Sequence, residues 1–138
     1  MIHRHAIALV LLLAAGCAGD RATSSSTSPP PPALPAAGQV THVVLCWLKT
    51  PGDDAAAQRI IDTSDDFRRL PGVLAVTAGR AVPSTRPVVD SSFDVGVVIT
   101  FRDEPAMAAY ESSPTHARAV KEVLQPLTAK LKIYDVKR

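Results

Sequence analysis

The sequence predicts an α+β domain with a four-stranded antiparallel sheet and helices on one of its faces. Three observations carry that prediction. Val40 to Lys49 and Phe93 to Phe101 alternate at the period of a strand and are rich in β-branched residues. Other stretches place apolar residues at helical spacing behind Asp or Ser residues suited to cap a helix. Pro51-Gly52, Pro71-Gly72 and a polar, proline-containing run from Pro83 to Ser92 separate these stretches. The resulting order is β-α-β-β-α-α-β.

Within the first strand His42, Val44, Cys46 and Leu48 share one face, and Val43, Leu45 and Trp47 the other. Pro51-Gly52 ends it, and Asp53 or Asp54 starts a helix with the apolar stripe Ala57, Ile60, Ile61, Phe67 and Leu70, interrupted by Ser64. Pro71-Gly72 stops that helix. Val73 to Val82 is a second strand of small residues. In the third, Phe93, Val95, Val97, Ile99 and Phe101 face one way, and Gly96 on the opposite face admits close approach by a helix or backbone. Asp103 caps a short helix through Glu111, and Leu131 to Val136 closes the domain as a fourth strand.

Between them Tyr110 to Leu127 holds the best helix start in the chain. Ser112 or Ser113 can accept a bond from the first free backbone N–H groups, and Pro114 suits the first helical position. Ala117, Val120, Val123, Leu124 and Leu127 then fall on one face. At 100° per residue His116 lies within about 40° of the centre of that face, so the helix points an imidazole inward, six residues after a tyrosine. Tyr110 and His116 are the candidate catalytic pair.

This is the split βαβ, ferredoxin-like plan. Both faces of the first and third strands are apolar, and a domain of this size has too little core to leave a whole sheet face wet. A second copy packed sheet against sheet resolves this, making a homodimer whose sheets curl into an α/β barrel.

Only residues 39–138 are expected to form this domain. His3-Arg4-His5 precede an apolar run from Ala6 to Ala15, too short for a bilayer core of roughly 30 Å but suited to a signal peptide over residues 1–16. Leu13-Ala14-Ala15-Gly16-Cys17 resembles a bacterial lipobox, which makes Cys17 the expected site of lipidation. Ala18 after it resembles lipoproteins exported to an outer membrane, so the expected location is the cell envelope, on the outer membrane facing the periplasm. Residues 17–38, with hydroxylic Thr23 to Ser28 and Pro29 to Pro32, read as a Ser/Thr/Pro linker reaching on the order of 50 Å.

Composition excludes several classes. From Gln39 onward thirteen Lys and Arg face twelve Asp and Glu, which does not suggest nucleic acid. There is no glycine-rich phosphate loop, and no Cys or His pair has ligand spacing, so neither cofactor nor metal is expected. With Cys17 acylated, Cys46 has no disulfide partner and reads as a small buried hydrophobe.

The domain resembles the stress-responsive α/β barrel, or Dabb, family. The resemblance runs from Thr41 to Lys137 and rests on His42-Val-Val-Leu, Leu70-Pro-Gly-Val with Gly79-Arg80, Val97-Val98-Ile99-Thr100-Phe101, and Ala109-Tyr110 followed by Pro114-Thr-His116. Val123-Leu-Gln-Pro-Leu127 and Ile133-Tyr-Asp135 complete it. It implies a ferredoxin-like subunit in a dimeric barrel. A plant branch, the polyketide cyclases that close olivetolic acid, uses a tyrosine and a histidine matching Tyr110 and His116, and a first-strand histidine matching His42. There histidine acts as base on an acidic carbon while tyrosine steadies the oxyanion, tasks that suit an imidazole and a phenol. The aromatic residues lining the pocket of those cyclases on the first helix fall near Arg59 and Thr63, so a long alkyl-polyketide pocket is not expected.

Two accounts of the pair follow. In one, His42, Val44, Tyr110 and His116 surround a pocket between sheet and helices. In the other, His116 is bonded to His42 or a strand carbonyl and Tyr110 merely packs. The expected function is a membrane-anchored lipoprotein presenting a dimeric Dabb domain that binds a small apolar molecule or serves a stress response. The alternatives are a cofactor-free, cyclase- or lyase-like enzyme using the His/Tyr pair, and an envelope assembly module.

Overall fold

The computed structural model describes residues 36–138. The signal peptide, Cys17 and all of the linker before Ala36 lie outside the described residues. Strand β1 (Val40–Leu48) leads to helix α1 (Asp54–Asp65), a 3-10 turn (Asp66–Arg69), β2 (Val73–Arg80) and β3 (Val95–Phe101). Helices α2 (Glu104–Glu111) and α3 (Pro114–Ala119) follow, then a π-helical turn (Val120–Leu124), a last turn (Gln125–Leu127) and β4 (Thr128–Lys137). The sheet is antiparallel in the order β2-β3-β1-β4. The expected ferredoxin-like subunit is therefore present.

Local chemistry sets the element ends. Asp53 accepts from the Ala56 N–H at 3.0 Å and starts α1; Asp103 accepts from the Ala106 N–H at 2.8 Å and starts α2. Gly72 has φ +83°, and a Cβ there would collide with Ala106, so Pro71-Gly72 lets α2 lie close over the start of β2. Asp94 holds the turn after β1, accepting from Leu48 N at 2.8 Å and Gly52 N at 3.0 Å.

The core lies between helices and sheet. β1 contributes Val40, Val44, Cys46 and Leu48, β3 contributes Val95, Val97, Ile99 and Phe101, and α1 contributes Ala57 and Ile60. Burying each large side chain stabilises the fold by roughly 1.5–3 kcal/mol. Burial, with the Asp94 carboxylate adding to it, pushes the Cys46 thiol up to about 11, the behaviour of an inert core residue.

Four expectations change. Phe93 precedes β3, and its ring lies over Gly96 and edge-on to Trp47 on the open face of the sheet. The group close to Gly96 is thus an aromatic ring, not a helix or backbone. Ser64 does not break the α1 stripe: it is buried and donates to Ile60 O at 2.8 Å. β2 ends at Arg80, and β4 begins at Thr128, both offset from the expected limits.

The fourth change concerns the helix after Tyr110. Ser113 caps it, while Ser112 closes α2. Ala117 is exposed and Ala119 is buried instead. Pro126 has no N–H, and in a regular α-helix its ring would clash with the Glu122 carbonyl. Ahead of it the helix widens, and Gln125 N–H donates to Val120 O, five residues back. Upstream of the widening the inward face runs through half-buried His116 and buried Ala119, not Ala117, while Val120, Val123, Leu124 and Leu127 keep the expected stripe.

Candidate functional site

His42 sits mid-β1 on the helix-covered face. The register places it opposite Asp135 of β4, and residues directly opposite share a face. Its Nδ1–H donates to Asp135 Oδ1 at 2.6 Å; His42 is buried, while the Asp135 side chain is 43 % exposed. The imidazole is thus oriented by a carboxylate on the edge strand, leaving Nε2 as its remaining nitrogen. Sequence reading missed Asp135. Its signal was the alternation Leu131, Ile133, Asp135, which becomes informative only once β4 is paired with β1.

Tyr110 lies in the last turn of α2 and is 4 % exposed. Its ring centroid is 5.1 Å from Phe67 and 5.0 Å from Phe101. Burial, reinforced by the Glu111 carboxylate, raises the phenol well above its ordinary range, so the hydroxyl keeps its proton. Among the described residues none hydrogen-bonds that hydroxyl, and none has a fully buried polar side-chain atom without a partner. The hydroxyl therefore opens onto the cavity beside it.

His116 lies in the first turn of α3. Its backbone N–H donates to Ser113 Oγ at 3.2 Å, and its ring Nδ1–H donates to the Glu111 carbonyl at 3.0 Å. Because a carbonyl only accepts, Nδ1 carries the hydrogen and Nε2 of the neutral ring is an acceptor. The partner is a helix carbonyl, neither His42 nor a strand carbonyl. The ring centroid is 4.6 Å from that of Tyr110, which lies 6.0 Å from that of His42. The three rings form a row with Tyr110 in the middle.

They border a cavity of about 220 Å³ between the sheet and the α2–α3 region. Val44, Val97, Ile60 and Phe67 make its apolar walls, Val120 and Leu124 of the π-helical turn stand on one side, and Leu131 and Ile133 of β4 on the other. All four residues expected at the pocket, His42, Val44, Tyr110 and His116, line it. From α1 the lining residues are Ile60 and Ser64, whereas Arg59 is exposed. Ser64, missed in the sequence as a mere interruption, stands in that lining with its hydroxyl donated to Ile60 O. Chemically the site offers one phenolic donor beside imidazole acceptors in an apolar enclosure. Among the described residues no three His, Cys, Asp or Glu side chains converge to hold a metal ion.

The family profile described as the stress responsive A/B barrel domain, Dabb, matches residues 40–138. The chain belongs to the Dabb family. A comparison with curated proteins returns no match. Among solved structures, the Dabb domain is similar to a Dabb family protein with a ferredoxin-like fold from Mesorhizobium loti, at 22 % identity and TM-score 0.61, over 73 % of this chain and 97 % of that one. A dimeric ferredoxin-like protein of unknown function from Jannaschia sp. is similar at 21 % identity and TM-score 0.60, over 73 % and 100 %. A hydroxynitrile lyase from Passiflora edulis is similar at 16 % identity and TM-score 0.64, over 75 % and 95 %. At these identities the likeness is one of fold.

Proposed function

We propose that this Dabb domain binds a small, mostly apolar molecule between its sheet and helices. The observation that carries this is the Tyr110 hydroxyl, held on a residue that is 4 % exposed, with no partner among the described residues and a cavity in front of it. An engineered cavity of about 150 Å³ takes benzene, so this space suits a single ring or its equivalent. Native mass spectrometry of the full chain tests the proposal. A retained small molecule is expected, and Val120→Trp, which fills the cavity, should release it; retention unchanged by that substitution would contradict the assignment.

The domain works as a homodimer in this proposal. Val98, Val43 and Tyr134 form one row across the open face of β3, β1 and β4, and Val98, Tyr134 and the nearby Val136 are exposed. Trp47 belongs less to that surface, because its ring is flanked by Phe93 and by Lys130 Nζ at 4.2 Å, and its Nε1–H donates to Ser92 Oγ. Dimeric neighbours of the same fold support the proposal. We further propose that acyl chains on Cys17 hold the domain at the cell envelope, on the outer membrane, in a stress-related role. Cys17→Ser should then abolish fatty-acid labelling.

A second reading, cofactor-free acid–base chemistry, is favoured by the His116–Glu111 bond. That bond makes Nε2 the basic atom 4.6 Å, ring to ring, from a phenol kept protonated by burial. His116 would remove a proton and Tyr110 would donate to the oxygen that gains charge. The hydroxynitrile lyase of this fold makes a lyase-like reaction one to assay.

A further inference from the structure

We propose that the ligand of this cavity is a single-chain alcohol, bound with its hydroxyl inward and its apolar chain leaving across the edge strand over Leu131 and Ile133. This rests on the ligand-binding reading above and names its ligand class.

The head group follows from which hydrogens are already committed. Ser64 Oγ–H donates to Ile60 O at 2.8 Å, His116 Nδ1–H to Glu111 O at 3.0 Å, and His42 Nδ1–H to Asp135 at 2.6 Å. What these three side chains still offer, with neutral rings, is acceptor capacity. Tyr110 alone offers a hydrogen. A ketone or ether would answer Tyr110 and leave every acceptor unmatched. A hydroxyl accepts from Tyr110 and donates to a neighbouring acceptor, so it fits this mixture as one group.

The chain path follows from where the helix layer stops. Leu131 lies opposite Cys46 and Ile133 opposite Val44, so both face the cavity side of the sheet. Cys46 and Val44 are buried, yet Leu131 is 38 % and Ile133 51 % exposed, and both line the cavity. An apolar wall thus runs from the enclosed polar end to solvent, faced by Val120 and Leu124. A chain of more than about six carbons outgrows a space about half as large again as one that holds benzene, and that wall is its way out.

Calorimetric titration of the full chain with 1-butanol, 1-hexanol, 1-octanol and 1-decanol tests this, with cyclohexanone as a compact probe. Affinity should tighten by up to about fourfold per methylene as far as octanol. The pair Leu131→Ser and Ile133→Ser, on the cavity wall that runs out to solvent, should flatten that gain beyond hexanol and weaken 1-octanol by a larger factor than 1-butanol. Methyl octyl ether should bind at least about tenfold more weakly than 1-octanol. Affinity flat with chain length, or a slope untouched by the Ser pair, would overturn the chain path; ether binding equal to alcohol would overturn the head group. Cyclohexanone binding in either case would leave the cavity reading standing. If neither the alcohols nor cyclohexanone bound, both would fall.

Discussion

β1 and β4 run side by side, paired from Val40–Lys137 to Leu48–Thr128, and each alternates in side-chain direction. Every second residue of β1 is buried, whereas β4 buries none. The difference lies above the sheet: α1 and α2 pack on β2 and β3, and the helix layer stops short of β4. Strand period reports which residues share a face; the layer above decides whether that face is covered. Here the uncovered margin becomes a cavity wall.

Substitutions that separate the two strands should show the largest effect. Leu48→Ala on β1 should lose about 2–5 kcal/mol in chemical denaturation, against under about 1 kcal/mol for Leu131→Ala on β4. Similar losses would mean that something covers β4. The open face differs again, because its exposed row crosses both strands. Val98→Asp should convert the proposed dimer to monomer in sedimentation at concentrations where Trp47→Ala remains dimeric; the reverse ranking would move the interface toward Trp47.

Asp135→Asn tests whether β4 serves β1 by orienting His42. A charge-assisted bond to a buried ring would be weakened, at a cost of about 1–2 kcal/mol and with a shifted Nδ1–H resonance. An unchanged resonance would show that the pair does not persist. The smallest effect is alkaline. The Cys46 thiol is raised in the folded state, so its contribution to stability is present below about pH 9 and lost as pH climbs towards about 11. Thermal scans should fall more steeply over that window in wild type than in Cys46→Ala.

Much of this fold was legible because it depends on neighbours in sequence. β1 and β3 show period two, Asp103 and Ser113 stand where helices begin, and Pro71-Gly72 stands where the chain turns into β2 under α2. The inward face of His42 and the six-residue spacing from Tyr110 to His116 were legible for the same reason. Asp135 was not, because its role needs the β1–β4 register. Nor was Ser64, whose helix-carbonyl bond lets a hydroxyl sit in an apolar stripe. Ala117 was misplaced because periodicity assumes an unbroken helix, and Pro126 imposes a π-helical turn upstream of itself.

In the proposed function the margin left uncovered beside β4 is a binding cavity headed by the Tyr110 hydroxyl. The most direct measurement is calorimetric titration of wild type and Tyr110→Phe with cyclohexanol, alongside their melting temperatures. The hydroxyl bonds no described residue, so Tyr110→Phe should melt within a few degrees of wild type yet bind roughly three- to tenfold more weakly. Equal binding by the two proteins, or a large drop in melting temperature, would contradict the account.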